Sequence, residues 1–177
     1  MRTLLLGMGN PYLSDDAVGI RLARDFKSWL EGIPNLDIVE ECSVGGLELL
    51  PLIEDYQRLV IIDSTKTTGG IPGKWYYFTA ERLRETMNLT NIHDANFVTA
   101  LELGRRLGMK LPANSEVHIF AVEIADSLTF AEQLTEALQR GYPQYSSEIF
   151  NCIVELIASP PGFLVPVNVL SHAAGRI

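Results

Sequence analysis

The feature that most constrains this chain's fold is an alternation near its start: short apolar runs stopped by glycine or an acidic residue, separated by stretches with helical spacing. Thr3-Leu4-Leu5-Leu6 ends at Gly7 and has the length of a buried strand. Ser14 is placed to cap a following helix, with Asp15 and Asp16 in its first turn. Val18, Leu22, Phe26 and Trp29 or Leu30 then recur on one helical face. Residues 37–40 read as a second strand, 46–55 as a short helix with Leu49, Leu50 and Ile53 inward, and 58–63 as a third, buried strand. A β-α-β-α-β order commits this part of the chain to a parallel sheet with helices on its faces.

After Asp63 the pattern changes. The link from Ser64 to Gly73 contains Thr67-Thr68-Gly69-Gly70 and Pro72, too short and too broken for a crossover helix, so residues 75–78 are expected to form an antiparallel strand. A loop carrying His93 leads into a helix over about 94–107, packed through Phe97, Leu101 and Gly104, and residues 116–123 form the fifth strand. A helix before Gly141, a longer one from about Pro143 to Ala158 and an apolar tail complete the chain. The predicted fold class is α/β: a three-layer α/β/α arrangement around a mostly parallel, mixed sheet of about five strands, of a phosphorylase/hydrolase-like kind. Residues 1–159 make up one such domain and 160–177 the tail.

Composition excludes several functions. The 177 residues carry 22 Asp and Glu against 14 Lys and Arg, a net charge of −8, the wrong sign for a nucleic-acid partner. Apolar runs stop at four residues, as in Leu59-Val60-Ile61-Ile62, where a membrane span needs about twenty. Cys42 and Cys152, without CxxC spacing, read as free thiols. A cytoplasmic protein is expected, without membrane or nucleic-acid partners, and a monomer is the favoured oligomeric state.

Right-handed crossovers place the first strand between the second and third, with a binding crevice at the carboxyl edge where the winding reverses. Asp16, Asp63 and His93 project there. Two carboxylates and an imidazole form an open, mixed oxygen and nitrogen ligand set suited to a divalent transition metal. Each residue also has a plainer role: Asp15-Asp16 complements a helix dipole, Asp63 closes an Asx-turn with Ser64 and Thr65, and His93 starts a helix. His118 reads as an ordinary strand residue and His172 as incidental. Gly7-Met8-Gly9-Asn10-Pro11-Tyr12 opens a second possibility, a dinucleotide site with Glu40 or Glu41 on a ribose. Tyr12 stands where that fingerprint needs glycine, and two aspartates at the mouth would repel phosphate. No GxSxG elbow, P-loop or HExxH motif occurs.

Four stretches together carry a family resemblance. The opening Gly7-Met8-Gly9-Asn10-Pro11-Tyr12-Leu13-Ser14-Asp15-Asp16-Ala17-Val18-Gly19 resembles that of the hydrogenase maturation endopeptidases. So do the turn and helix Ser43-Val44-Gly45-Gly46-Leu47-Glu48-Leu49-Leu50, the strand Leu59-Val60-Ile61-Ile62-Asp63, and the stretch around His93 through Leu101 and Leu107. The resemblance runs to about Ala158. It implies a peptidase that removes the C-terminal extension of a nickel-iron hydrogenase large-subunit precursor after nickel insertion. It implies Asp16, Asp63 and His93 as metal-binding positions, with Asp16 and Asp63 as catalytic carboxylates of an aspartyl-protease type. Members carry glutamate or aspartate at the first position. Glu123 is a candidate for the site rim.

On this reading nickel is supplied by the substrate, and no organic cofactor is expected. The metal anchors the precursor, polarises the scissile carbonyl or activates a water whose proton a carboxylate takes. Cys42 lies near the same edge without a histidine partner. Two other classes share these residues: a nickel metallochaperone that leaves its partner uncut, and a dinucleotide-binding module.

Overall fold

A computed structural model describes residues 1–85 and 92–166, with the side chains of 83–85 and 92–96 outside that description. Five strands form one sheet: β1 (Thr3–Met8), β2 (Leu36–Cys42), β3 (Arg58–Thr65), β4 (Trp75–Thr79) and β5 (Val117–Glu123), in the order β2-β1-β3-β5-β4. β1 runs parallel to β2 and β3, and β3 parallel to β5, while β4 is antiparallel to β5. This is the mixed, mostly parallel sheet that the sequence predicts.

Strand alternation divides the core between the two faces of the sheet. Leu5, Val60, Ile62, Phe120 and Val122 pack on α1 (Val18–Leu30) and α5 (Glu136–Ala158), through Leu22 and Phe26 on the former and Tyr145, Ile149 and Ile153 on the latter. Leu4, Leu6, Leu59, Ile61 and Ile119 face the opposite layer, formed by α2 (Leu50–Ile53) and α4 (Ile92–Arg106) with Leu50, Ile53, Phe97 and Leu101. The three layers follow from this division. Gly19 lets α1 sit close to the sheet, because a Cβ there would stand 2.3 Å from the Ile62 carbonyl oxygen and 2.4 Å from that of Met8.

Several local expectations change. Ser14 does not cap: its hydroxyl donates to the Gln133 carbonyl at 2.9 Å, and a single 3-10 turn, Asp15–Ala17, precedes α1. The short helix expected over 46–55 is a 3-10 turn, Gly46–Leu49, followed by one turn of α-helix. A brief α3 (Ala80–Glu85) follows β4. The two helices expected around Gly141 are one continuous α5 with Pro143 inside it. Pro143 removes one helical hydrogen bond, yet Leu138, Tyr145, Ile149, Ile153 and Leu156 lie buried along one side, and packing that face holds the helix together.

The start of the apolar tail is tied to the base of the sheet. Arg58, fully buried, donates through Nε to Glu116 at 2.8 Å and through its remaining nitrogens to the Leu156, Ser159 and Pro160 carbonyls. The amide of Gly162 donates to the other Glu116 oxygen, and Val165 packs in the core. The tail beyond 166, with His172, lies outside the described residues.

Candidate functional site

A cleft of about 450 Å3 opens at the carboxyl edge of the sheet, where the connections leaving β1 and β3 diverge. Gly9 and Asn10 come from the turn after β1, Ser43 to Gly46 from the turn after β2, and Asp63 to Lys66 from the end of β3. Leu49, Ile61, Phe97 and Ile119 add apolar wall. Asp16 and Asp63 both line it, the first from the 3-10 turn that follows β1 and the second from the end of the neighbouring parallel strand β3.

The two carboxylates are held by the turns that carry them. The Asn10 amide donates to Asp16 Oδ2 at 2.9 Å, and the Ser64 hydroxyl donates to Asp16 Oδ1 at 2.6 Å. The Ser64 amide donates to Asp63 Oδ1 at 2.7 Å. Ser64 therefore ties Asp16 to the end of β3 through its hydroxyl, while its amide orients the adjacent Asp63 carboxylate. A carboxylate has about four acceptor positions; the two bonds to Asp16 fix its orientation and leave acceptor capacity toward the cleft. Gly9 is required for this arrangement. It has φ +137°, and a Cβ would lie 2.0 Å from the Asp16 carbonyl oxygen.

The same geometry disfavours a dinucleotide site. The Asn10 amide, which a phosphate would need, is occupied by Asp16, and Tyr12 is exposed. Cys42 lines the cleft, but burial first, and then the charge of Asp63, push its thiol above the ordinary range. That keeps it protonated and a poor nucleophile. Both cysteines are free.

His93 falls in the first turn of α4 rather than in the loop before it, and its side chain lies outside the described residues. Among the described residues no group of three His, Cys, Asp or Glu is placed to hold an ion. Two members of the expected set thus meet at the cleft. Glu123 is not a rim residue: it is 1% exposed and accepts hydrogen bonds from the Thr67 amide and hydroxyl, anchoring the loop after β3 from below.

Two residues do more than the sequence suggests. Asp15 is fully buried, and its carboxylate accepts from the Ala125 and Asp126 amides, each at 3.0 Å, and from the Thr135 amide and hydroxyl at 2.7 and 2.9 Å. It is a staple for the segment between β5 and α5, not a dipole complement. His118 is fully buried, with Nδ1 2.9 Å from the Tyr77 hydroxyl and Nε2 lacking a hydrogen-bond partner. Burial first, then the charge of Arg58, lower its pKa to about 4, against the opposing pull of Glu116. Their only sequence signals are an acidic residue next to a ligand candidate and a histidine in an apolar strand.

Among the described residues no helix is long and apolar enough to cross a membrane. No curated protein sequence matches the chain. Solved structures share its fold. The hydrogenase maturating endopeptidase HybD of E. coli is 23% identical with a TM-score of 0.68, the match covering 88% of this chain and 93% of that one. The [NiFe] hydrogenase maturation protease HybD of Thermococcus kodakarensis is 20% identical with a TM-score of 0.63, covering 90% of this chain and 100% of that one. HycI of Thermococcus kodakarensis KOD1, also a [NiFe] hydrogenase maturation protease, is 17% identical with a TM-score of 0.60, covering 89% and 93%. The family described as HycI, hydrogenase maturation protease, matches residues 20–151, a span containing Asp63 and His93 and beginning just after Asp16. On this match the chain belongs to the hydrogenase maturation proteases and is a processing endopeptidase.

Proposed function

We propose that the chain removes the C-terminal extension of a nickel-iron hydrogenase large-subunit precursor after nickel has been inserted, with the nickel entering as part of the substrate. The observation that carries this reading is the meeting of Asp16 and Asp63 in one cleft, oriented by Ser64 and Asn10. Hard carboxylate oxygens with an imidazole from His93 suit a borderline divalent ion and contain no thiolate. Such a set complements a metal whose remaining ligands are cysteines of the precursor.

Held at this edge, the metal fixes the extension beside the carboxylates, so the peptide bond is met in an effectively intramolecular way. Asp16 and Asp63 receive the ion, and one of them takes the proton of the attacking water. Cys42 is assigned no part in bond cleavage: burial raises its thiol pKa and the sulfhydryl is directed to the Val44 carbonyl. The proposed site of action is the cytoplasm, with the protein acting as a monomer.

The test is incubation with a nickel-loaded precursor, read by intact mass. The reading expects a product shortened at its C-terminus and a released extension. A precursor that binds but keeps its full mass would contradict it and indicate a metallochaperone.

A further inference from the structure

The loops beside the cleft spend an unusual amount of polar bonding on exposing apolar side chains. The turn after β1 and the segment after β5 are joined by a bridge between Leu13 and Phe130. The Ser14 amide donates to the Thr129 carbonyl at 2.9 Å, and the Ala131 amide to that of Tyr12 at 3.3 Å. Buried Asp15 pins both ends of the β5–α5 segment at Ala125, Asp126 and Thr135. Asp126 in turn accepts from the Leu128 and Thr129 amides. A segment fixed at this many points nevertheless presents Tyr12 at 72% exposure and Leu128 and Phe130 at 80%.

Resting on the proposed function, we infer that Tyr12, Leu128 and Phe130 form the surface on which the folded body of the precursor protein docks while its C-terminal extension lies in the cleft. Continuity with the site supports this occupant. Asn10 and Ser127 line the cleft and belong to the same two loops, so a protein whose chain lies in the cleft comes up against this side of its rim. Area supports it as well. Summed over the three side chains, these exposures offer on the order of 400 Å2 on two loops that the bridge between Leu13 and Phe130 holds together. A stable dimer buries roughly 800 Å2 on each partner. These three side chains alone fall short of a self-association interface and fit a transient contact completed by the peptide in the cleft. Fixing the loops before binding lowers the ordering cost of that contact.

The test compares the full chain with its Y12S/L128S/F130S variant against nickel-loaded precursor, measuring affinity by biolayer interferometry and cleavage by intact mass. All three side chains are exposed, so the variant should melt with the wild type. The inference expects a Kd and KM raised at least tenfold with kcat within twofold. Unchanged Kd and KM would overturn it. So would sedimentation showing that the wild type dimerises through this rim and the variant does not. Rim-dependent binding without cleavage by the wild type would overturn the endopeptidase reading alone, and a wild type that neither binds nor cleaves would overturn both.

Discussion

Replacing Asp15 by alanine should be the most destabilising single change near the cleft, although its neighbour Asp16 is the residue expected to act on substrate. The Asp15 carboxylate is fully buried and accepts four hydrogen bonds, three from backbone amides and one from the Thr135 hydroxyl. A hydrogen bond to a charged group contributes about 1.5–3 kcal/mol. If water reaches half of the abandoned donors, the loss is about 3–6 kcal/mol, a large part of the roughly 5–15 kcal/mol that holds a domain folded. For a chain of this size that corresponds to a fall in Tm of roughly 6–24 °C. Asp16→Asn should stay within about 1 kcal/mol of the wild type or gain slightly, because it relieves repulsion between neighbouring carboxylates at a half-buried edge. Urea unfolding and calorimetry of both variants provide the comparison. A loss below about 1 kcal/mol for Asp15→Ala, or a larger loss for Asp16→Asn, would refute the division of labour drawn here.

Asp63→Asn and His93→Ala should each lower precursor cleavage by about 10²–10⁴-fold while Tm moves by no more than about 3 °C; a collapse of Tm would mean that these residues are structural. Stability should fall as the medium is acidified below pH 6.5. His118 is held neutral in the fold with a pKa of about 4, so the unfolded chain gains the proton first, and the loss reaches about 3 kcal/mol once pH has passed through 4. Denaturant titrations across pH 4–7 should show His118→Gln flattening this slope, and an unaltered slope would assign it to other groups.

The sheet was legible because its signals are local. Leu4 to Leu6 and Leu59 to Ile62 alternate between two cores along their apolar runs, and right-handed connections fix the order of the first three strands, β2-β1-β3, while the places of β5 and β4 were not legible. The meeting of Asp16 with Asp63 followed from that order. What the sequence could not separate was Asp15 from Asp16, since the difference lies in partners more than a hundred residues away, at Ala125 to Thr135. Pro143 misled for a related reason. A local helix breaker was overridden by a continuous buried face from Leu138 to Leu156 that only the assembled sheet provides. Glu123 and His118 both sit on β5, and their roles depend on Thr67, Tyr77 and Arg58, which come from other elements.

The central claim is that nickel reaches the cleft as part of the substrate and gates the cut. The measurement that tests it most directly is the rate of C-terminal cleavage for nickel-loaded and metal-free forms of one precursor, in chelator-treated buffer, read by intact mass. The account predicts cleavage of the nickel-loaded form and an intact metal-free form, because the proposed ligand set of Asp16, Asp63 and His93 contains no thiolate and would depend on a metal the precursor already holds. Equal rates for the two forms would contradict it and leave a peptidase that reads the polypeptide alone.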